Sequence, residues 1–362
     1  MKQSNKNNKN EKKQETKKTS KKLSIIVPCY KVEKYLPRCL DTLVNQTLED
    51  IEAICINDGS PDNCLKILKK YQKKYGDKIV IIDKQNEGVW KGRHDGIKIA
   101  KGEYIGFVDS DDYVTLDYAE KLYNAAKEND ADMSCCGFDR IDLLTDKVYS
   151  TEMTKFKHKE ININKQPGLL LEINGAPWNK IYKAEILKKA HDLENVPKIL
   201  DDMMFIQLAY LNAKKIVFID DSLYRYMVRS DSIINTINLE KIPSTYAAMK
   251  EIRAYYKKEK KDLLQYVDAN AFLHLGVSLM YRLYATKDIN FRKELKKNTE
   301  FLDKEFPLWR DNPYIKYKFV RQNNGSNKKL WIVRQFYRFH MFPFFLFCYS
   351  TMINKFKVDI KW

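Results

Sequence analysis

The sequence lacks the glycine-rich loops that many nucleotide-binding α/β proteins place after their first strand. The first apolar run, LSIIVPCY from residue 23, continues into KVEKYL without a glycine. A dinucleotide cofactor would need a Gly-x-Gly-x-x-Gly turn at this point. A phosphate-binding loop ending in Lys-Ser or Lys-Thr and a Gly-x-Ser-x-Gly elbow are also missing. These absences argue against a nicotinamide or flavin enzyme, a P-loop enzyme and a serine hydrolase.

Residues that bind soft metals are few and badly spaced. The five His are scattered, and the seven Cys do not form pairs with metal-type spacing. A zinc site is therefore unsupported, and we interpret the cysteines as reduced thiols of a cytoplasmic protein. The basic N-terminal stretch is not followed by an apolar segment, so a secretory signal is not expected.

Positive charge is concentrated at the two ends of the chain. Residues 1–22 carry nine Lys and two Glu, and residues 313–362 carry ten Lys or Arg and one Asp, out of a net charge of +17. The part between them is nearly neutral, which is not the pattern of a nucleic-acid groove. Two basic ends suit attraction to an anionic membrane surface. Residues 1–22 hold almost no apolar side chain, so we predict a disordered basic tail.

Short apolar runs alternate with amphipathic segments from Leu23 onwards. Strands are predicted at LSIIVPCY, IEAICIND, KIVIID and EYIGFVD, with helices of about 12–15 residues between them. This alternation predicts right-handed βαβ units and a mainly parallel sheet covered on both faces. A strand at ADMSCCGFDRI, a helix opened by acids at DDMMFIQLAYLNA and one or two strands at KKIVFIDDSLYRYMV follow, and the periodicity beyond Arg229 is helical.

Polar side chains collect where the first four predicted strands end. The ends read Pro28-Cys29-Tyr30, Asn57-Asp58-Gly59-Ser60, Asp83-Lys84-Gln85-Asn86 and Asp109-Ser110-Asp111-Asp112. Ligands of open α/β sheets bind beyond the carboxyl ends of the strands. We therefore expect one binding site at this edge of the sheet.

Asp109 and Asp111 suggest what that site binds. Two carboxylates at positions i and i+2 of a strand end can hold a hard divalent cation through oxygen, with phosphate oxygens and water completing its shell. Tyr30 is placed to stack on a base, and Asp58 to accept a base N–H group. The plainer alternatives are that Tyr30 caps the sheet and that Asp58 belongs to an ordinary turn and helix cap.

The first part of the chain resembles the family 2 glycosyltransferases. LSIIVPCYKVEKYLPRCLDTLVNQTLEDIEAICINDGSPDNCLKIL is similar to the opening of that family, and KGEYIGFVDSDDYV resembles its metal-binding strand. The resemblance implies an α/β protein with the GT-A nucleotide-diphospho-sugar transferase fold, a Rossmann-like and mainly parallel sheet. It also implies a nucleotide-sugar donor, Mn²⁺ or Mg²⁺, and inversion at the anomeric carbon.

The same resemblance assigns roles residue by residue. On the donor side it implies that Pro28, Tyr30 and Asp58 contact the base, with Glu33 beside them. It implies that Asn86 and Arg93 contact the nucleotide and its phosphates. The Asp-x-Asp motif is formed by Asp109, Ser110 and Asp111. Asp111 is the surest metal ligand, with Asp109 as its companion. On the acceptor side it implies Trp178, Asn179, Lys180 and Asp201, with Asp202 as the general base. Trp178 as a core residue, and Asp201 and Asp202 as ordinary N-terminal helix acids, stay open as alternatives.

We divide the chain into a tail at 1–22, a GT-A domain at 23–230, a helical extension at 231–330 and a basic aromatic segment at 331–362. The last segment has nine aromatic residues among positions 331–350, and residues 339–354 lack Asp, Glu, Lys and Arg. Sixteen helical residues span about 24 Å, short of the roughly 30 Å hydrocarbon core. We therefore predict an interfacial membrane anchor, with a helix docked on the protein body as the alternative.

The predicted function is metal-dependent, inverting transfer of a hexose or N-acetylhexosamine from a nucleotide sugar, most simply a UDP-sugar. The acceptor is expected to be a glycan or lipid-linked precursor of a surface polysaccharide, at the inner face of the cell membrane. Two alternatives remain: a nucleotidyltransferase acting on sugar phosphates, and a non-catalytic membrane-bound protein of the same fold.

Overall fold

The structure is a computed structural model that describes residues 21–228, 239–286 and 289–356. Residues 1–20 of the predicted tail and the predicted domain boundary at residue 230 lie outside the described residues. Within the described part, the prediction of an α/β protein with helices at its C-terminal end is confirmed.

The first half of the sheet is parallel, as the alternating pattern predicts. Its strands lie in the order β3-β2-β1-β4, and every neighbouring pair is parallel. The strands are β1 (Leu23–Cys29), β2 (Ile51–Asp58), β3 (Ile79–Lys84) and β4 (Tyr104–Phe107), and the helices that connect them are α1 (Leu36–Val44), α2 (Cys64–Tyr75) and α3 (Val89–Ile99).

The register of these strands brings their polar ends to one edge. Cys29 at the end of β1 lies opposite Asn57 of β2, and Asn57 lies opposite Asp83 of β3. Val108, which follows β4, donates its N–H to the carbonyl oxygen of Ile26 in β1 at 3.1 Å. The strand ends therefore meet as the sequence predicted.

The second half of the sheet is mixed. It continues from β4 in the order β9-β6-β10-β5, with β9 antiparallel to both β4 and β6. The segment predicted as one or two strands is a single strand, β10, with register shifts in its middle. The elements are β5 (Tyr113–Val114), α4 (Tyr118–Glu128), β6 (Met133–Asp142), β7 (Val148–Glu152), β8 (Glu160–Asn162), β9 (Lys180–Lys183), α5 (Ala184–Lys188), α6 (Asp201–Asn212) and β10 (Lys215–Val228).

The described residues after β10 are mostly helical. They form α7 (Ile242–Glu259), α8 (Leu264–Ala271), a π-helical stretch at Phe272–Leu279, α9 (Met280–Ala285), α10 (Phe291–Glu305), α11 (Tyr317–Gln322), α12 (Lys328–Arg338) and α13 (Phe342–Phe356). In the described residues, none of these helices combines the length and the hydropathy needed to cross a bilayer.

The helical part shares a hydrophobic core with the sheet through α6. The side-chain amide of Gln207 in α6 donates to the Tyr266 hydroxyl at 2.6 Å, and the Tyr256 hydroxyl donates to the Gln207 carbonyl at 2.7 Å. Further along, the Tyr337 hydroxyl of α12 donates to the carbonyl of Gly276. The predicted boundary at residue 330 falls inside α12, which packs as part of the helical body.

Candidate active site

The loop after β4 is tied to the end of β1. The Ser110 hydroxyl donates to the Pro28 carbonyl oxygen at 2.6 Å, and the Asp112 N–H donates to the Asp109 carbonyl at 3.0 Å. The structure therefore brings Pro28 and Ser110 together, and it turns the chain so that Asp109 and Asp111 are only partly buried.

Asp112, which the sequence did not single out, fixes this loop from the opposite side. Its carboxylate is 2 % exposed and accepts hydrogen bonds from the Tyr224 hydroxyl at 2.7 Å and the Met227 N–H at 2.8 Å. The same Tyr224 hydroxyl accepts the Asp109 N–H at 3.1 Å. Burial and the neighbouring carboxylates raise the pKa of Asp112, whereas its two donors favour the charged form. The third acid of the cluster thus anchors the loop to β10.

Arg93 joins the end of β4 to the start of α6. Its guanidinium is buried, and its Nη1 lies 2.6 Å from Asp202 Oδ1 and 3.6 Å from Asp201 Oδ2. Its Nη2 lies 3.6 Å from Asp109 Oδ1. Leu200, in the left-handed region at φ 59°, precedes the helix that presents the two acids. A donor-side carboxylate and the predicted base therefore share one guanidinium.

Negative charge exceeds positive charge at this point. Burial raises the pKa of Asp109 to about 7 and that of Asp201 to about 6, in each case against the lowering effect of Arg93. Both shifts show that the local environment disfavours so many ionised carboxylates. A site of this kind attracts a cation.

The chemistry of Asp109 and Asp111 fits a divalent cation that is shared with a ligand. Carboxylate oxygens are the donors that Mg²⁺ and Mn²⁺ prefer. In the described residues, no group of three or more His, Cys, Asp or Glu is arranged to hold a metal alone. Two carboxylates leave most of the shell to phosphate oxygens and water, so the residues suit a metal diphosphate and do not form a protein-only cage.

Asp58 holds the loop that precedes α3. The carboxylate is 5 % exposed and accepts the N–H groups of Glu87 at 2.9 Å and Gly88 at 2.8 Å, while the Asn86 side-chain amide donates to the Asp58 carbonyl at 2.9 Å. A carboxylate has about four acceptor positions, so two remain for a base N–H group. Gly59 has φ +61°, and a Cβ at that position would lie 2.7 Å from the Asn86 nitrogen, which explains the glycine.

Tyr30 and Glu33, also predicted on the donor side, have different surroundings. Tyr30 is 44 % exposed beyond the end of β1, with the Lys31 ammonium 5.2 Å from its ring centre. The Glu33 carboxylate accepts from the backbone and side-chain nitrogens of Asn63, at 2.9 and 2.7 Å. Tyr30 is free to stack on a base, whereas Glu33 secures the start of α2 and its donor contact stays a prediction.

Three of the four residues predicted on the acceptor side, Trp178, Asn179 and Lys180, are buried. Trp178 stacks on Tyr224 at 4.2 Å between ring centres, and the Asn179 side-chain amide donates to the Cys136 carbonyl at 2.7 Å. The Lys180 ammonium is enclosed by four acceptors, among them Asn179 Oδ1 and the Ala176 carbonyl, each at 2.7 Å, and burial lowers its pKa. This packing favours a supporting role, and direct acceptor contact stays a prediction.

Bulky residues on α3 pack that helix against α6. Trp90 donates its indole N–H to Asp192 at 3.0 Å, and its ring meets the Phe205 ring edge-on at 6.2 Å. His94 meets Phe205 in the same way at 6.1 Å. These contacts set the distance between Arg93, on α3, and the acids at the start of α6.

Comparison with known sequences identifies the family to which this architecture corresponds. The sequence profile described as glycosyl transferase family 2 matches residues 24–189. The glycosyltransferase GlyG of Streptococcus pneumoniae is 34% identical over 226 residues, which are 60% of this chain and 74% of GlyG. A poly(ribitol-phosphate) beta-glucosyltransferase of Bacillus spizizenii is 36% identical over 235 residues, which are 64% of this chain and 36% of that protein.

The chain spans only part of several curated relatives, with 36%, 62% and 31% of their lengths covered in three of them. Among solved structures, residues 1–349 of TarS from S. aureus, in complex with UDP-GlcNAc, superpose with a TM-score of 0.68 at 21% identity. The superposition covers 88% of this chain and 91% of that one. This likeness shows the GT-A fold, including the helical C-terminal region.

Proposed function

The chain belongs to glycosyl transferase family 2 and is a glycosyltransferase, and from this premise we propose a specific reaction for it. A hexose or N-acetylhexosamine passes from a UDP-sugar to a hydroxyl of a glycan or lipid-linked acceptor, with inversion at the anomeric carbon. The reaction depends on Mn²⁺ or Mg²⁺ and serves the synthesis of a cell-surface polysaccharide.

The observation that carries this proposal is the position of Arg93. One buried guanidinium contacts Asp109, at the donor side, and Asp202, the predicted base. Donor diphosphate and acceptor hydroxyl must approach the same anomeric carbon from opposite sides, so the groups that serve them need a fixed separation. Because Arg93 contacts both Asp109 and Asp202, it fixes the separation between them.

The donor would lie along the carboxyl edge of the sheet. The uracil stacks on Tyr30 and donates its N–H to Asp58, and the diphosphate lies beside Asp109 and Asp111. A divalent cation held by Asp109 and Asp111 would stabilise the charge of the leaving UDP. Burial of Arg93 keeps its positive charge fixed close to that leaving group without exposing it to water.

Asp202 would act as the general base. Its side chain is 39 % exposed, against 3 % for that of Arg93, so the carboxylate is accessible on the side away from the guanidinium. As the acceptor oxygen bonds to the anomeric carbon and the bond from that carbon to the diphosphate breaks, the hydroxyl proton passes to Asp202. The ion pair with Arg93 orients this carboxylate before the transfer.

The relatives guide the choice of substrates. TarS, which shares the fold, was crystallised with UDP-GlcNAc and with UDP, so UDP is the first nucleotide to test. The B. spizizenii relative is a beta-glucosyltransferase of poly(ribitol-phosphate), and a Bacillus subtilis relative is the minor teichoic acid biosynthesis protein GgaB. Polyol-phosphate and lipid-linked glycan chains are therefore suitable first acceptors.

The experiment that tests this proposal is a donor and acceptor screen in which nucleotide release is measured with Mn²⁺ present. We expect UDP from one UDP-sugar, faster release with acceptor, and a product of inverted anomeric configuration by NMR. Release of pyrophosphate from a sugar phosphate and UTP would instead indicate the nucleotidyltransferase alternative. A lack of turnover with every pair, despite tight UDP binding, would favour the non-catalytic alternative.

We also propose that the enzyme works at the inner face of the cell membrane, where lipid-linked acceptors are available. The +9 charge of residues 313–362 supports this location, because basic segments are attracted to anionic lipid.

A further inference from the structure

Helix α13 is apolar on the side that faces the protein. Phe342, Leu346 and Tyr349 lie one turn apart and are 1 %, 1 % and 3 % exposed. Phe342 stacks on Tyr337 of α12 at 4.2 Å between ring centres, and Tyr349 meets Tyr281 of α9 edge-on at 4.9 Å. This side docks the helix on the body, which was the alternative to a membrane anchor.

The opposite side of α13 is apolar as well. Phe344 and Phe347 are 55 % and 58 % exposed, and Phe339, just before the helix, is 65 % exposed. Together with the exposed Met341 and Met352, these residues form what we call the outer stripe: Phe339, Met341, Phe344, Phe347 and Met352. A surface helix normally turns charged residues outwards. The described part of the chain leaves this stripe uncovered.

A groove of about 650 Å³ runs beside the stripe, between α10 and the α12–α13 corner. Its apolar lining includes Leu295, Tyr337 and Phe342, and it shares Met341 and Phe344 with the outer stripe. An apolar groove that is continuous with an exposed aromatic stripe suits a ligand with a long hydrocarbon part.

The rim of the groove carries positive charge. Arg292, Lys296 and Arg310 contribute, and Glu300 is the acid among the lining residues. Asp303 neutralises Arg310 through two hydrogen bonds of 2.6 and 2.8 Å, and Lys296 lies 3.9 Å from Glu300. The Lys296–Glu300 pair is long, and its side chains are 80 % and 67 % exposed, so it holds Lys296 only weakly. Arg292 and Lys296, one turn apart on α10, therefore form the cationic part of the rim.

We propose that the outer stripe and this groove bind an anionic phospholipid bilayer, with aromatic side chains among the acyl chains and phosphate headgroups at Arg292 and Lys296. Aromatic residues beside basic residues are typical of interfacial membrane binding. A second copy of the chain fits this surface less well, because a two-fold contact would bring the same cationic residues of both copies together. The proposal rests on the membrane location given under the proposed function, and it specifies the surface that contacts lipid.

The test is co-sedimentation of the full chain with two kinds of vesicle, one of phosphatidylcholine alone and one enriched in phosphatidylglycerol. We expect preferential binding to the anionic vesicles, weakened by salt. The double variant Phe344→Gln/Phe347→Gln should bind them roughly tenfold more weakly, because two half-exposed aromatic rings are no longer available for insertion. A matched control, Leu144→Gln/Val148→Gln, alters two exposed apolar residues in the β6–β7 hairpin and should bind like the wild type.

The charge contribution is tested separately. In Arg292→Gln/Lys296→Gln, the ratio of binding to anionic over neutral vesicles should fall by about tenfold or more. The control Lys69→Gln/Lys73→Gln changes an exposed pair with the same spacing on α2 and should keep the wild-type ratio. Wild-type protein that ignores both kinds of vesicle would overturn the proposal. So would a wild-type dimer in light scattering that the Phe344→Gln/Phe347→Gln change converts to a monomer.

UDP release from a donor without acceptor separates this inference from the proposed reaction. We expect all four variants to release UDP like the wild type, because none of the changed residues is among those that form the candidate active site. Vesicle binding without UDP release from any donor would leave the lipid surface standing and refute the reaction. UDP release by a wild type that binds neither vesicle would refute the lipid surface alone.

Discussion

Replacing Arg93 is the most informative single change, because this side chain contacts carboxylates from both sides of the site. In Arg93→Met the aliphatic bulk remains, but Asp109, Asp201 and Asp202 lose their shared guanidinium. Removing one partner of a fully buried ion pair typically lowers the free energy of unfolding by about 3–5 kcal/mol. The three carboxylates are 29–39 % exposed, so water can partly solvate them once Arg93 is gone. We therefore expect a smaller loss than that in urea denaturation, with UDP release almost abolished.

Arg93→Lys separates charge from geometry. Nη1 and Nη2 reach Asp202 and Asp109 at the same time, over 2.6 and 3.6 Å. A lysine has one ammonium group and cannot hold both carboxylates in this arrangement. We expect this variant to recover much of the lost stability but little of the lost turnover.

A matched control distinguishes a lost ion pair from a lost active site. Arg253 pairs with the fully buried Asp268 in the helical part, at 2.7 Å between Nε and Oδ1. Arg253→Met should cost at least as much stability as Arg93→Met, because Asp268 is fully buried, whereas the turnover of each folded molecule should stay close to that of the wild type. Normal turnover in Arg93→Met, or an equal loss of turnover in both Met variants, would refute the assignment of Arg93 to the active site.

Three further predictions concern the metal, the loop anchor and the pH dependence of stability. Asp111→Asn should abolish the strengthening of UDP binding by Mn²⁺ in calorimetry, whereas EDTA should weaken binding to the wild type only. Tyr224→Phe removes the hydroxyl that hydrogen-bonds both the Asp109 N–H and the Asp112 carboxylate, so the free energy of unfolding should fall by roughly 1–3 kcal/mol and turnover should fall too. Tyr256→Phe, which loses a buried hydrogen bond elsewhere, should lower stability alone. Burial lowers the pKa of His274 to about 4. Between its ordinary pKa and about 4, the unfolded chain therefore binds a proton that the folded protein does not, and the free energy of unfolding falls as the pH falls, by at most about 1.4 kcal/mol per pH unit. His274→Gln should flatten this dependence in urea titrations.

The local pattern of the sequence was enough to predict the sheet edge. Strand ends of a parallel sheet align whatever their helices look like, so Pro28, Asp58 and Asp109 could be placed together from apolar periodicity alone. The family was predicted from the resemblance of the segments that contain these residues, and the comparisons confirm it. The antiparallel insertion of β9 between β4 and β6 could not be predicted, because strand order is decided by long-range pairing.

The partners of individual side chains depended on contacts between distant parts of the chain. Arg93 and Asp202 are 109 positions apart, and Tyr224 and Asp112 are 112 apart, so no local pattern reveals either pair. Lysine side chains are usually exposed, so the residue type of Lys180 gives no sign that it is buried. Its four acceptors come from residues 174–179, directly before β9, and composition does not show that this segment folds around the ammonium group.

The measurement that tests the account most directly compares Asp202→Asn with Asp262→Asn, an exposed aspartate of the helical part. Turnover with the identified donor and acceptor would be measured beside UDP affinity by calorimetry. We expect Asp202→Asn to lower turnover by about 10²–10⁴-fold, as loss of a general base does, with UDP affinity nearly unchanged and Asp262→Asn like the wild type. An Asp202→Asn enzyme with near-normal turnover but weak UDP binding would contradict the account, because Asp202 would then belong to the donor site.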